Sequence, residues 1–279
     1  MIFHHITDWD DAYSNGANIA GGNRWPEAWV APAQAYRDEL SAAGRAELGL
    51  SYGDKPRNRF DLFLPEGEAK GLVAFIHGGY WYSLDNSYWS HLARGANERG
   101  FAVAMPTYTL CPEVRIADIV VEVAAAIETA AAKVAGPIHL TGHSAGGHLV
   151  SRMISATSPL KPDVRARIGN TVSISGVHDL RPLMRTKMNA NLRVDAEEAQ
   201  TESPVLLEPG PDARLFCWVG ANERAEFIRL NDLLANVWTG LGASTGHYAE
   251  PDKHHFNVVD GLADPWHPLT CTLLGAARE

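Results

Sequence analysis

From residue 58 onward, short apolar runs alternate with longer stretches in which apolar residues recur every three or four positions. The runs NRFDLFLP (58–65), GLVAFIH (71–77), FAVAMP (101–106), PIHLTG (137–142), TVSISG (171–176), RLFCWVG (214–220) and ASTGHYAE (243–250) read as strands. Most are short enough to be buried. Between them, Ile116, Ile119, Val120, Val123, Ile127 and Val134 fall on one face at helical spacing, which predicts an amphipathic helix over 115–134. Residues 86–99, 145–156, 225–239 and 268–278 read as further helices. Strands joined by helical crossovers predict a mostly parallel sheet, the α/β class.

Two segments break the alternation. Residues 1–57 carry Trp9, Trp25 and Trp29 amid Gly, Pro and Ala, and read as an N-terminal arm wrapped on the domain. Residues 179–211 are polar, with Arg181, Arg185, Lys187 and Arg193 ahead of an acidic patch, and read as a small cap over the C-terminal edge of the sheet. No internal repeat or low-complexity linker divides the chain, so 1–279 is expected to be a single domain.

Composition narrows the partners. Hydrophobic residues make up 46% and charged residues 20%, as in an ordinary globular domain. With 24 basic and 33 acidic residues the net charge is −9, and no run of Lys and Arg could follow a phosphate backbone, so nucleic acid is not an expected partner. Neither is a membrane: no uncharged apolar run approaches the roughly 18 residues of a span. The opening MIFHHITDWDDAY has no basic stretch followed by an apolar one, the pattern of an export signal. Cys111, Cys217 and Cys271 are odd in number and far apart, which fits a reducing cytoplasm better than a disulfide framework. The composition is compatible with a homo-oligomer.

The chemistry begins at Gly142-His143-Ser144-Ala145-Gly146, a G-x-S-x-G pattern lying between a predicted strand and a predicted helix. A sharp turn there needs small residues two before and two after the serine. It lifts the Ser144 hydroxyl above the sheet edge and points the first amides of the helix at whatever Ser144 attacks. The bland alternative is a glycine-rich turn whose serine only caps the helix. A serine hydroxyl needs a base, and the base needs an acid to hold its tautomer. Glu223 follows the strand RLFCWVG, and His254 and His255 lie beyond the last strand, in the chain order serine, acid, histidine. Asp212, Glu226, Asp232 and Asp252 are read as solvated surface charges, and His254 is the alternative base. His77, His143, His148 and His178 show no H-x-x-x-H or H-E-x-x-H pairing, so no metal is expected; His77 is expected to bond loop backbone and shape the glycine turn.

Taken together, HGGYW (77–81), GHSAGG (142–147), VGANERAEF (219–227) and HHF (254–256) resemble the α/β-hydrolases related to hormone-sensitive lipase. Within that group they are most similar to the kynurenine formamidases, and the resemblance runs from about residue 51 to residue 259. It implies the α/β-hydrolase fold, Ser144 as nucleophile, Glu223 as acid and His255, directly before Phe256, as base. The acid is Glu223 where Asp is usual, and Leu230 stands where a Gln follows the Arg. On this reading the amides of Gly79, Tyr80 and Ala145 form the oxyanion hole, Gly79 letting them approach. Tyr80, in place of the third glycine of the commoner HGGG loop, and Trp81 wall a substrate pocket. The expected reaction is hydrolysis of an arylformamide such as N-formyl-kynurenine, or of a small-acyl ester, without metal or organic cofactor. A general short-chain carboxylesterase and a non-catalytic binding protein of the same fold are the alternatives.

Overall fold

In the computed structural model, which describes residues 5–275, eight strands form one sheet in the order β1-β2-β4-β3-β5-β6-β7-β8. The strands are β1 (Ala46–Ser51), β2 (Arg59–Phe63), β3 (Leu72–Ile76), β4 (Ala102–Pro106), β5 (Ile138–His143), β6 (Ile168–Ile174), β7 (Arg214–Gly220) and β8 (Ser244–Glu250). All pairs are parallel except β1 with β2 and β2 with β4. Each of the seven predicted strands is present within a few residues of its expected limits.

Side-chain alternation divides the core into two layers. In β3, Leu72, Ala74 and Ile76 face one layer, while Val73 and Phe75 face the other. The first layer is completed by the helices Ile116–Lys133, Ala145–Met153 and Ala225–Gly240. The second is covered by the helix Trp25–Ala42, the 3-10 helix Asn86–Ala93 and the helix Pro268–Leu274. Because both faces are buried, β3 and β4 carry apolar residues at every position rather than at alternate ones.

The N-terminal segment is more than an arm. It contains the 18-residue helix Trp25–Ala42 and the edge strand β1 in addition to the irregular stretch before them. Between β6 and β7, in the segment read as a cap, the chain forms the short helices Arg181–Arg185, Asn189–Leu192, Ala196–Thr201 and Pro204–Leu206. Among the described residues, no helix is long and apolar enough to cross a membrane.

Topology decides where chemistry can gather. The chain runs from β3 outward to β4 and then returns to place β5 on the opposite side of β3. At such a reversal the loops leaving the two strands separate and open a crevice at their C-terminal ends. The register pairs Ile76 with Gly142, so His77–Tyr80 and His143–Ser144 leave the sheet side by side.

Candidate active site

Ser144 lies on the turn from β5 into the helix Ala145–Met153, with φ 56° and ψ −114°. An L-residue pays roughly 1–2 kcal/mol for a left-handed φ, and here the fold holds it: the Ser144 amide donates to the Ile174 carbonyl at 2.8 Å. Glycine at 146 is obligatory, because a methyl carbon there would stand 1.9 Å from the Ile76 carbonyl oxygen. Ser144 is only 3% exposed.

Glu223 and His255 reach the same edge from loops beyond β7 and β8. Glu223 Oε2 and His255 Nδ1 are 2.6 Å apart, and the two side chains are 0% and 3% exposed. The carboxylate is an acceptor, so Nδ1 carries the proton and Nε2 keeps the lone pair, the tautomer that general-base chemistry requires. His254 turns away: its ring lies edge-on to Trp25 and its Nδ1 accepts from the Phe256 amide at 3.2 Å. The side chain next to Ser144 joins the two loops, since His143 Nε2 donates to the His255 carbonyl at 2.8 Å. Burial, reinforced by the neighbouring His255 ring, holds His143 well below the usual histidine range, so it is neutral.

The sequence alone did not single out two groups around this pair. Ser175, at the end of β6 with φ 51°, donates from Oγ to Glu223 Oε1 at 2.5 Å, and the Gly220 amide donates to the same oxygen at 2.8 Å. Its neighbours in the sequence carry no motif; only the parallel pairing of β6 with β7 brings it to the acid. Phe227 lays its ring 4.6 Å from that of His255. It belongs to the ERAEF stretch, whose acid and aromatic therefore act on the two ends of one contact.

The glycine loop separates its residues' roles. Gly78 makes the close approach to Ser144, since a methyl carbon on it would stand 3.1 Å from Ser144 Cβ. Gly79, at φ 109°, instead makes a turn: the Tyr82 and Ser83 amides donate to its carbonyl at 3.1 and 3.0 Å, and a methyl carbon would meet the Ser83 carbonyl oxygen at 2.2 Å. Tyr80 and Trp81 follow at φ 51° and 59°. Among the described residues, no acceptor takes the amides of Gly79, Tyr80 or Ala145. His77 anchors the loop as expected, its Nδ1 donating to the Gly78 carbonyl at 2.7 Å while its ring stacks on Tyr108. Burial lowers its pKa to about 4, so it too is neutral.

Two expectations are corrected. Trp81 does not wall a pocket: it is 0% exposed, packed edge-on against His148 among the apolar side chains of the first core layer. Glu226 is not a solvated charge but 5% exposed, accepting from the Tyr13 hydroxyl at 3.0 Å and paired with both the Nε and a terminal nitrogen of Arg229. Asp212, Asp232 and Asp252 are exposed, as read. Tyr80 remains at the site, half-buried, with its hydroxyl bonded to the arm. Among the described residues, no group of three His, Cys, Asp or Glu side chains could hold a metal ion. Leu230, at the position of the Gln in the resembled pattern, is buried in the first core layer.

Comparison with known proteins agrees with the fold. Residues 73–226 match the family described as alpha/beta hydrolase fold. A kynurenine formamidase of Danio rerio is 25% identical over 236 residues, spanning 81% of this chain and 80% of that protein. The crystal structure of a provisionally assigned thioesterase from Silicibacter sp. superposes with a TM-score of 0.91 at 48% identity, covering 96% of this chain and 99% of that one. Esterase B from Lactobacillus rhamnosis has the same fold at a TM-score of 0.62 and 18% identity, with 88% and 91% covered.

Proposed function

The chain belongs to the α/β-hydrolase family, which its match over residues 73–226 shows, and from that premise we propose that it is a serine hydrolase of small acyl compounds. The observation that carries the proposal is the buried Glu223–His255 pair, 2.6 Å apart, on the sheet edge where Ser144 is held on its strained turn. In this reading His255 Nε2 takes the Ser144 Oγ proton as Oγ bonds to the substrate carbonyl carbon. The carbonyl oxygen becomes an oxyanion, met by the amides of Gly79, Tyr80 and Ala145, each such donor being worth roughly 3–4 kcal/mol. His255 returns the proton to the leaving nitrogen, oxygen or sulfur, leaving an acyl-serine. Water, deprotonated by His255, then releases the acid and regenerates Ser144. The chemistry needs no metal or organic cofactor. Three free, buried cysteines support the cytoplasm as its compartment.

The preferred substrate class is an arylformamide such as N-formyl-kynurenine. It is supported by the HGGYW, GHSAGG, ERAEF and HHF motifs and by the similarity to a kynurenine formamidase across four-fifths of both chains. The Silicibacter relative favours a second reading, a thioester or other small-acyl ester, because its identity to this chain is nearly twice as high. Specificity constants for N-formyl-kynurenine, a short p-nitrophenyl ester and a short acyl thioester separate the two. A dominant value for the formamide is expected, and a large excess for either ester removes the formamidase reading. Ser144→Ala is expected to lower kcat on every substrate at least a thousandfold with Tm nearly unchanged. Retained turnover, or failure of a fluorophosphonate to label the wild-type protein, removes Ser144 from the reaction.

A further inference from the structure

Tyr80 occupies a backbone conformation that glycine would adopt freely, and its amide is one of the groups assigned above to the oxyanion. Something must hold it there. Trp81 is anchored by its buried ring and by accepting from the Cys111 amide at 2.9 Å. Tyr80 is anchored at the far end of its side chain: the hydroxyl donates to the Tyr13 carbonyl at 2.7 Å and accepts from Asn15 Nδ2 at 3.2 Å. Its ring is stacked on Tyr82, 5.9 Å between centroids and 17° between planes. Burial raises the phenol to about 12, so the hydroxyl remains protonated and can serve both bonds.

The residues that grip this hydroxyl are themselves immobilised. Tyr13 is fully buried and Asn15 is 2% exposed. The Tyr13 hydroxyl donates to Glu226, whose carboxylate is held by Arg229, and the Tyr13 ring meets Phe227 edge-on at 6.0 Å. Phe227 is the residue that covers the His255 ring. Arg224, adjacent to Glu223, pairs with Asp11 and bonds Asn18 from the same short stretch. Residues 11–18 therefore connect the loop bearing the oxyanion amide to the loop and helix bearing the acid.

We propose that Asn15 and the Tyr13 carbonyl are positioning residues for the oxyanion hole, acting through the Tyr80 hydroxyl. The proposal rests on the serine-hydrolase reading and adds to it that the N-terminal segment completes the site rather than merely covering it. A positioning role for the oxyanion amide is felt where the charge develops, not when substrate binds, so it separates kcat from KM.

The test uses the full chain, a short p-nitrophenyl ester and a short-chain trifluoromethyl ketone, whose serine adduct carries the oxyanion. Active sites are titrated with a fluorophosphonate. Tyr80→Phe keeps the ring and its stacking but loses both bonds; kcat per titrated site is expected to fall roughly five- to tenfold, with KM within about twofold. The ketone Ki should rise by the same factor as kcat/KM falls. Asn15→Ala, which leaves the bond to the Tyr13 carbonyl, should show a smaller loss of the same kind, and it carries the test should Tyr80→Phe fail to fold. Unchanged kcat per titrated site in both variants overturns the proposal, as does a fall in kcat with the ketone Ki unmoved. Those results leave the serine reading intact. A wild-type protein that the fluorophosphonate does not label overturns the reading and the proposal together.

Discussion

Gly146 and Gly240 show how different the demands on a single residue type are in this chain. A methyl group at 146 would strike the β3 backbone at Ile76, which cannot yield without parting β3 from β5. At 240, the last residue of the helix Ala225–Gly240, it would meet nothing within 4 Å. Gly146→Ala is expected to destabilise the protein by about 3 kcal/mol or more. Gly240→Ala should stabilise it by about 0.4–1 kcal/mol by restricting the unfolded chain. Urea midpoints of both variants check the pair, and equal shifts would contradict the steric account. The same reasoning explains what was legible. Around Ser144 the small residues sit at fixed offsets on a strand-to-helix turn, so the pattern was visible in the sequence, although the clash that demands Gly146 comes from Ile76 on β3. At Tyr80 there was no such pattern: φ 51° is held by Tyr13 and Asn15, some 65 positions away, and a tyrosine gives no local sign of a left-handed backbone.

Among the elements, the helix Ile116–Lys133 was readable because its buried positions repeat at helical spacing over 18 residues. The helix Trp25–Ala42 has the same length and buries Trp29, Ala33, Tyr36 and Leu40, also at helical spacing. Its interior Pro32 and alanine-rich composition obscured the pattern, and its stability comes from tertiary contacts, Trp29 on Trp89 at 5.1 Å and the Tyr36 hydroxyl on Asn97 at 2.6 Å. The edge strand β1 is short, mostly exposed and interrupted by Gly49, so the alternation of Ala46, Leu48 and Leu50 with polar residues gave only a weak signal.

The helix behind Ser144 has a pH dependence of its own. His148 Nε2 donates to the Glu202 carbonyl of the cap at 2.6 Å, Arg152 pairs with the Glu202 carboxylate at 2.8 Å, and His178 lies close by, bonded to Ser173. Burial lowers both histidines to about 3, against 6.5 in the unfolded chain. Below pH 6.5 the unfolded state binds protons that the folded state refuses, so this stability is complete above about pH 6.5 and is lost as pH falls toward 3. At pH 5, each ring costs about 2 kcal/mol. His148→Gln, which keeps a side-chain donor, is expected to lose about 2 kcal/mol less than wild type between pH 7 and pH 5, measured by urea unfolding. An equal loss in both proteins would show that His148 is not its source.

At the scale of the whole molecule, residues 179–211 pack into the same core as the sheet. Leu180, Leu183, Leu192, Val194, Ala199 and Val205 belong to the same apolar layer as the sheet and the helix Ala225–Gly240. Trp238 from that helix donates to the Pro204 and Leu207 carbonyls at 3.1 and 3.0 Å. Removing the cap would expose the layer, so cap and sheet are expected to unfold together. Tryptophan fluorescence and far-ultraviolet circular dichroism should report coincident urea transitions, and amides of 192–206 should exchange as slowly as those of the central strands. An earlier transition, or fast exchange confined to 179–211, would instead identify a separately moving lid.

The sequence by itself determined the α/β alternation, the central strands, and the order in which serine, acid and histidine follow those strands, because each depends on local periodicity or on order along the chain. Only the tertiary structure decided that Ser175 bonds Glu223, that Glu226 is buried beneath Tyr13, that Trp81 belongs to the core, and that the N-terminal segment holds Tyr80. Those outcomes join residues from tens to more than two hundred positions apart. Such pairs meet only once parallel strands align their C-terminal ends, and no spacing along the chain encodes the meeting.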